Sequence, residues 1–203
     1  RALLDGRLGE VVDLAQSACD VGLPVVGEAA SESLVTHLFD LHWALGRLGE
    51  TAEAHLQRAD RYPYASAWTP GLVLALLAAG RRAEARIHFD RVMASGLDRI
   101  RRDELWLITL ALLAEAAARL GAEQAAAELR LRLLPHRGLA IDTRFGRHLL
   151  GTTDRVLGMV AGALGLRQEA SAHFEAADAL HVRLGAMRWL AEGRCDHAEV
   201  LLT

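Results

Sequence analysis

A glycine returns along this chain at Gly6, Gly46, Gly80, Gly121 and Gly165, at intervals of 40, 34, 41 and 44 residues, and its neighbours return with it. Four residues after it stand Glu10, Glu50, Glu84 and Glu169, with Ala125 breaking the pattern in the fourth copy. Eight residues before it stand Leu38, Leu72, Leu113 and Leu157. Ala85 and Phe89 of the third copy match Ala170 and Phe174 of the fifth. Periods of this size mark stacked supersecondary units, none of which covers its own apolar face alone.

The stretch Asp154 to Leu180 is the clearest copy. Ala170, Phe174 and Ala177 place a small, a large and a small residue on one helical stripe. Gly158 and Gly162 each cost a helix interior about 1 kcal/mol relative to alanine, so a neighbouring helix is expected to approach where a Cβ would block it. The same reading makes GMVAGALG a close-packing segment and not a phosphate loop.

Each copy resolves into a helix A, a turn and a helix B. The units span approximately 1–22, 28–62, 66–96, 103–135 and 147–184, and a last helix A over 186–202 has no partner. Gly22, Pro24 and Gly27 make the first break, and Tyr62-Pro63 the second. Thr69-Pro70 suits the start of a helix, and Asp103 caps the next helix A. Leu97 to Arg102 reads as an insertion. His136 to Phe145 is the longest irregular stretch, and one or two extra helical turns are expected from Arg147. Nothing reads as a strand. The expected fold is all-α, one domain of about five antiparallel helix pairs.

Composition agrees. Apolar residues are 52% of the chain and aromatics only 5%, a mixture for close-packed helices and not for a sandwich rich in β-branched and aromatic residues. All 23 basic residues are arginine, and asparagine is also absent, which fits GC-rich coding. Without lysine there is no Walker-type phosphate loop, no Schiff base and no pyridoxal-phosphate site. A net charge of −3 offers no footprint for nucleic acid or an anionic membrane. Cys19 and Cys195 form neither a disulfide framework nor a zinc pattern, so a cytoplasmic setting is expected. The uncharged window Tyr62 to Gly80 is broken by prolines and a glycine and makes a poor membrane span. No signal peptide is visible. The chain opens within one helix-like run and closes within another, as a segment of a longer protein would.

Leu157-Gly158, Gly165, Glu169-Ala170, Phe174 and Ala177 fall at the spacing of tetratricopeptide repeats, which the chain resembles. DELWLITLALLAEAAARLGAEQAAAELRLRLLPHRG and LGMVAGALGLRQEASAHFEAADALHVRLGAMRWLAE look like the C-terminal helical arrays of large bacterial signal-transduction ATPases. In that group the array follows a nucleotide-binding domain and accompanies a LuxR-type DNA-binding domain or an adenylate-cyclase domain. The chain departs from the pattern at Arg130, where an aromatic is usual, and at Leu139 to Gly146, where a glycine-rich loop is usual. The resemblance implies a right-handed solenoid whose A helices line a concave face. It implies a non-enzymatic interaction module of a regulator, the alternative being a small-molecule inducer sensor near His136 to Phe145. Its partners would be a protein, other domains of the parent chain, or a second copy through the terminal helices.

Counting back from each turn glycine gives the groove candidates: Thr36, Asp40 and Trp43, then Glu115 and Arg119, then Arg155 and Met159. A groove with Trp43 and Met159 among fixed charges suits a peptide or an amphipathic helix. No cofactor is expected. His37 and Asp40 share a helical face, whereas Cys195, Asp196 and His197 are adjacent and diverge, which is poor ligand geometry. No G-x-S-x-G elbow or isolated carboxylate pair suggests hydrolysis. The arginines Arg99, Arg101, Arg102, Arg144 and Arg147 read as a solvated charged face.

Overall fold

The computed structural model describes residues 2–3, 6–61, 68–143 and 148–202. Ten α-helices lie among them: α1 (Val11–Val26), α2 (Glu28–Ala44), α3 (Ala52–Arg61), α4 (Trp68–Ala78), α5 (Arg82–Ser95), α6 (Trp106–Leu120), α7 (Glu123–Leu133), α8 (Thr153–Ala163), α9 (Arg167–Leu184) and α10 (Met187–Leu202). One small antiparallel hairpin, β1 (Ala140–Thr143) and β2 (His148–Thr152), interrupts them. No helix among the described residues is long and apolar enough to cross a membrane.

The turn glycines build the helix ends. Gly6, Gly46, Gly80, Gly121 and Gly165 all have φ between 63° and 74°, the left-handed region where a side chain is strained. In each case the next residue's N–H closes back on a carbonyl five positions upstream, as in Arg81 to Leu76 and Leu166 to Ala161, which is the Schellman form of helix end. Gly185 repeats the device between α9 and α10. The recurring glutamate pairs with an arginine that follows the glycine directly: Arg7 with Glu10, Arg47 with Glu50 and Arg81 with Glu84. The fifth copy has Leu166 in that place, and Glu169 turns instead to Arg130 of α7, at 2.5 and 2.7 Å.

The helices divide into two kinds by burial. α4, α6 and α8 are covered on all sides, with Pro70–Leu76, Ile108–Ala117 and Thr153–Ala161 buried almost without interruption. α5, α7 and α9 bury one stripe each, such as Ala85 and Phe89, or Ala170, Phe174 and Ala177. α4 packs on α6, α6 on α8 and α8 on α10, while each also packs on the helix that follows it. The close approaches come where expected: a Cβ on Gly158 would stand 2.9 Å from the Phe174 ring, and one on Gly162 would stand against Val200.

Several expectations are corrected. α1 runs through Gly22 and Pro24 and breaks only at Gly27. Pro24 sits in the last turn, where its missing N–H costs the helix one bond, that to the Asp20 carbonyl, and Gly22 lets α2 approach, since a Cβ there would lie 3.0 Å from that of Ala30. α6 starts at Trp106 and not at Asp103, whose carboxylate instead accepts from the Leu105 N–H at 3.0 Å. The stretch before α8 is strand and not helix. Gly151, at φ 86°, lies under the Trp189 ring, and the Trp189 indole donates to the Leu149 carbonyl at 2.8 Å. Thr153 Oγ1 donates to the His136 carbonyl, and the Gly138 N–H donates to Asp154. These contacts hold the hairpin, and Ile141 is buried with it. Tyr62-Pro63, Ser66, Arg144 and Arg147 lie outside the described residues.

Candidate functional site

Arg155, near the start of α8, is the centre of a buried charge cluster. Thr152 caps that helix by accepting from the Arg155 N–H. Its guanidinium is 1% exposed. Nη1 donates to Glu115 of α6 at 2.9 Å, and Nε donates to Asp196 of α10 at 2.8 Å. Glu192 of α10 lies 3.7 Å from Nη2. The other oxygen of Glu115 accepts from Arg119 at 2.8 and 3.0 Å, the i, i+4 neighbour on the same helix.

The α10 face carries the cluster to α2. Trp43 donates its indole N–H to Glu192 at 2.7 Å and meets Trp189 edge-on, with ring centres 5.6 Å apart. Trp189 is flanked by Arg155 and Arg188, at 5.2 and 4.4 Å from its ring centre. Arg188 pairs with Asp40 of α2. Helices α2, α6, α8 and α10 therefore share one polar core.

The electrostatics follow from this packing. Burial works against the charges on Glu115 and Arg155, but their opposite charges outweigh it: Arg155 and Arg119 hold Glu115 below the usual carboxylate range, and the Arg155 guanidinium is raised. Asp196 is pushed up to about 6, chiefly by burial and with Glu115 adding, against the pull of Arg155. His181, wholly buried on α9, is driven down to about 4 by burial and by Arg155.

Beside the cluster lies a cleft of about 680 Å³. Leu48, Leu74, Leu77 and Ala78 form its apolar side, and Trp43, Glu115, Arg119 and Glu192 form its polar side. A smaller cavity of about 210 Å³ adjoins it, sharing Arg119 and Glu199 and reaching Met159 and Asp196.

Of the seven groove candidates, six come together here. Trp43, Glu115 and Arg119 line the main cleft, and Met159 lines the smaller cavity. Asp40 and Arg155 lie behind, buried at 3% and 1%, so they support the cleft wall and do not form an open surface. Thr36 stands apart, its hydroxyl donating to the Glu32 carbonyl within α2. Sequence reasoning missed the α10 contribution. Arg188, Trp189, Glu192 and Asp196 recur at helical spacing and form a mixed apolar and charged stripe, a pattern visible in principle.

The histidines serve separate local contacts. His37 bonds to the Ser33 carbonyl, His173 to Asp154, and His197 to Ser171 while stacking on Phe174. Cys195 is exposed while Asp196 is buried. Among the described residues no group of three or more His, Cys, Asp or Glu side chains is arranged to hold a metal. Of the arginines beside the 97–102 segment, Arg102 lies over the Trp106 ring, and Arg101 is 3.8 Å from Asp103. Comparison with protein-family models, with curated proteins and with solved structures returns no match.

Proposed function

We propose that this chain is a non-enzymatic interaction module of a cytoplasmic bacterial regulator. In this reading it is a right-handed, tetratricopeptide-like solenoid that holds a polypeptide segment in the cleft between its A helices and relays that event to other domains of its parent protein. The observation that carries the proposal is the cleft itself, whose lining combines apolar Leu48, Leu74 and Leu77 with polar Trp43, Glu115, Arg119 and Glu192, braced from behind by Arg155. Such a surface takes an amphipathic segment, apolar side down. The apolar side chains left exposed on α1, among them Val12, Leu14, Val21 and Val25, support packing of that helix against another part of the parent protein.

Inducer sensing is the second reading. A cleft of about 680 Å³ falls within the range of small-molecule sites. In that case the ligand belongs in the cleft and not beside His136 to Phe145, because β1 and β2 are packed against α6, α8 and α9.

The test fills the cleft. Ala78 lies at its rim and is exposed, so Ala78→Trp blocks the space without burdening the core. Binding of a short amphipathic leucine/glutamine peptide is followed by fluorescence polarisation. The interaction reading expects saturable binding that Ala78→Trp abolishes at unchanged helicity and melting temperature. Binding indifferent to Ala78→Trp, or no binding by this peptide or by charged peptides of the same pattern, defeats it.

A further inference from the structure

Three carboxylates, Glu115, Glu192 and Asp196, meet two guanidiniums, Arg119 and Arg155; Glu115, Glu192 and Arg119 line the floor of the cleft, and Asp196 and Arg155 lie behind it. Arg82 and Glu199 add one charge of each sign to the lining, and Arg188 pairs with Asp40. One negative charge is therefore in excess. The guanidiniums are committed: Arg119 is held by Glu115, Arg155 is enclosed, and Arg82 donates to the Arg119 carbonyl at 3.0 Å. Of the three cluster carboxylates, Glu192 is the one in reach of solvent, 24% exposed. Its Oε1 accepts from Trp43, and no described residue donates to its Oε2.

We infer that the segment received by the cleft is a basic amphipathic helix, whose apolar side chains lie on the Leu74 and Leu77 wall and whose lysine or arginine sits against Glu192 beside Trp43. The cation supplies the missing positive charge and gains a charged hydrogen bond in a partly desolvated setting. An acidic segment would add a fourth carboxylate to the same floor. This inference rests on the interaction reading above and specifies the chemistry of its partner.

Three peptides of equal length separate the possibilities: leucine/lysine, leucine/glutamine and leucine/glutamate. Each is titrated into the protein by fluorescence polarisation at near-neutral pH. The leucine/lysine peptide is expected to bind about tenfold more tightly than the leucine/glutamine peptide, and the leucine/glutamate peptide more weakly than either. Glu192→Gln keeps an acceptor for the Trp43 N–H while removing the charge, so it should erase the preference for lysine at unchanged helicity. A preference that survives Glu192→Gln, or a leucine/glutamate peptide that binds as tightly, overturns the inference. If only the leucine/glutamine peptide binds, the inference falls and the interaction reading stands. If none binds, both fall. Self-association that Ala78→Trp abolishes would make a second copy the occupant and also overturn the inference.

Discussion

The indole of Trp43 and the carboxylate of Glu192, 149 positions apart in the chain, are joined by a hydrogen bond of 2.7 Å. With Arg188 and Asp40 beside it, this contact ties α2 to α10 across the rim of the cleft. Trp43→Phe keeps an aromatic ring against Phe39 and Trp189 but removes the donor. A loss of about 1–3 kcal/mol in urea unfolding is expected, typical of a hydrogen bond to a charged group. An unchanged midpoint would mean that the bond contributes nothing to closing the cleft.

Arg155→Met tests the buried cluster. The replacement keeps length and apolar bulk but strands Glu115, 2% exposed, with only Arg119 as partner. Breaking a buried pair on one side costs about 3–5 kcal/mol. Adding Glu115→Gln should return a large part of that loss, because the stranded charge is gone. Equal destabilisation by the single and double variants would contradict this account.

Two buried groups pull stability in opposite directions between about pH 4 and 6. Asp196 is raised from 3.8 to about 6 on folding, so in that window the native state keeps a proton the unfolded chain has lost, and stability falls as pH rises. His181 is lowered from 6.5 to about 4, so there the unfolded chain holds the extra proton and stability rises with pH. Each effect is worth about 3 kcal/mol, and they oppose. Asp196→Asn should uncover a rise with pH. His181→Leu should lessen the rise with pH relative to the parent, and should also remove a buried ring whose nitrogens have no hydrogen-bond partner among the described residues. Urea midpoints at about pH 4.5 and about pH 6 read both slopes, and parallel profiles for the two variants would refute the assignment.

Gly158→Ala sets two effects against each other. Alanine raises helix propensity by about 1 kcal/mol, but its Cβ meets the Phe174 ring at 2.9 Å. Overpacking of this kind costs about 1–3 kcal/mol, so a net loss is expected in thermal unfolding. The double variant Gly158→Ala with Phe174→Leu should be less destabilised than the sum of its parts. Simple additivity would show that the helices yield without strain.

What the sequence disclosed depended on whether the cause was local. The turn glycines were legible because a left-handed backbone needs glycine at that one place, and counting from them picked out Trp43, Glu115, Arg119 and Arg155, which meet at the cleft and the charge cluster behind it. Thr36 failed because the first half of α2 packs toward Gly22 of α1 and not toward the cleft. The hairpin β1 and β2 was unreadable because its strands are short and are held by Trp189, Asp154 and Thr153 from other segments. The role of α10 was missed for the same reason: Glu192 and Asp196 acquire meaning only when α2, α6 and α8 are brought beside them.

The tie between α2 and α10 changes how such a chain should fold and melt. A row of helices that touch only their neighbours can fray from either end and unfold piecemeal. Joining α2 to α10 makes two segments far apart in the chain answer for each other, so loosening α10 withdraws support from α2 directly. Closing a loop of that length costs about 4 kcal/mol in chain entropy. The tie is therefore the last contact worth forming on the way to the native state, and the first whose loss would turn one cooperative transition into several.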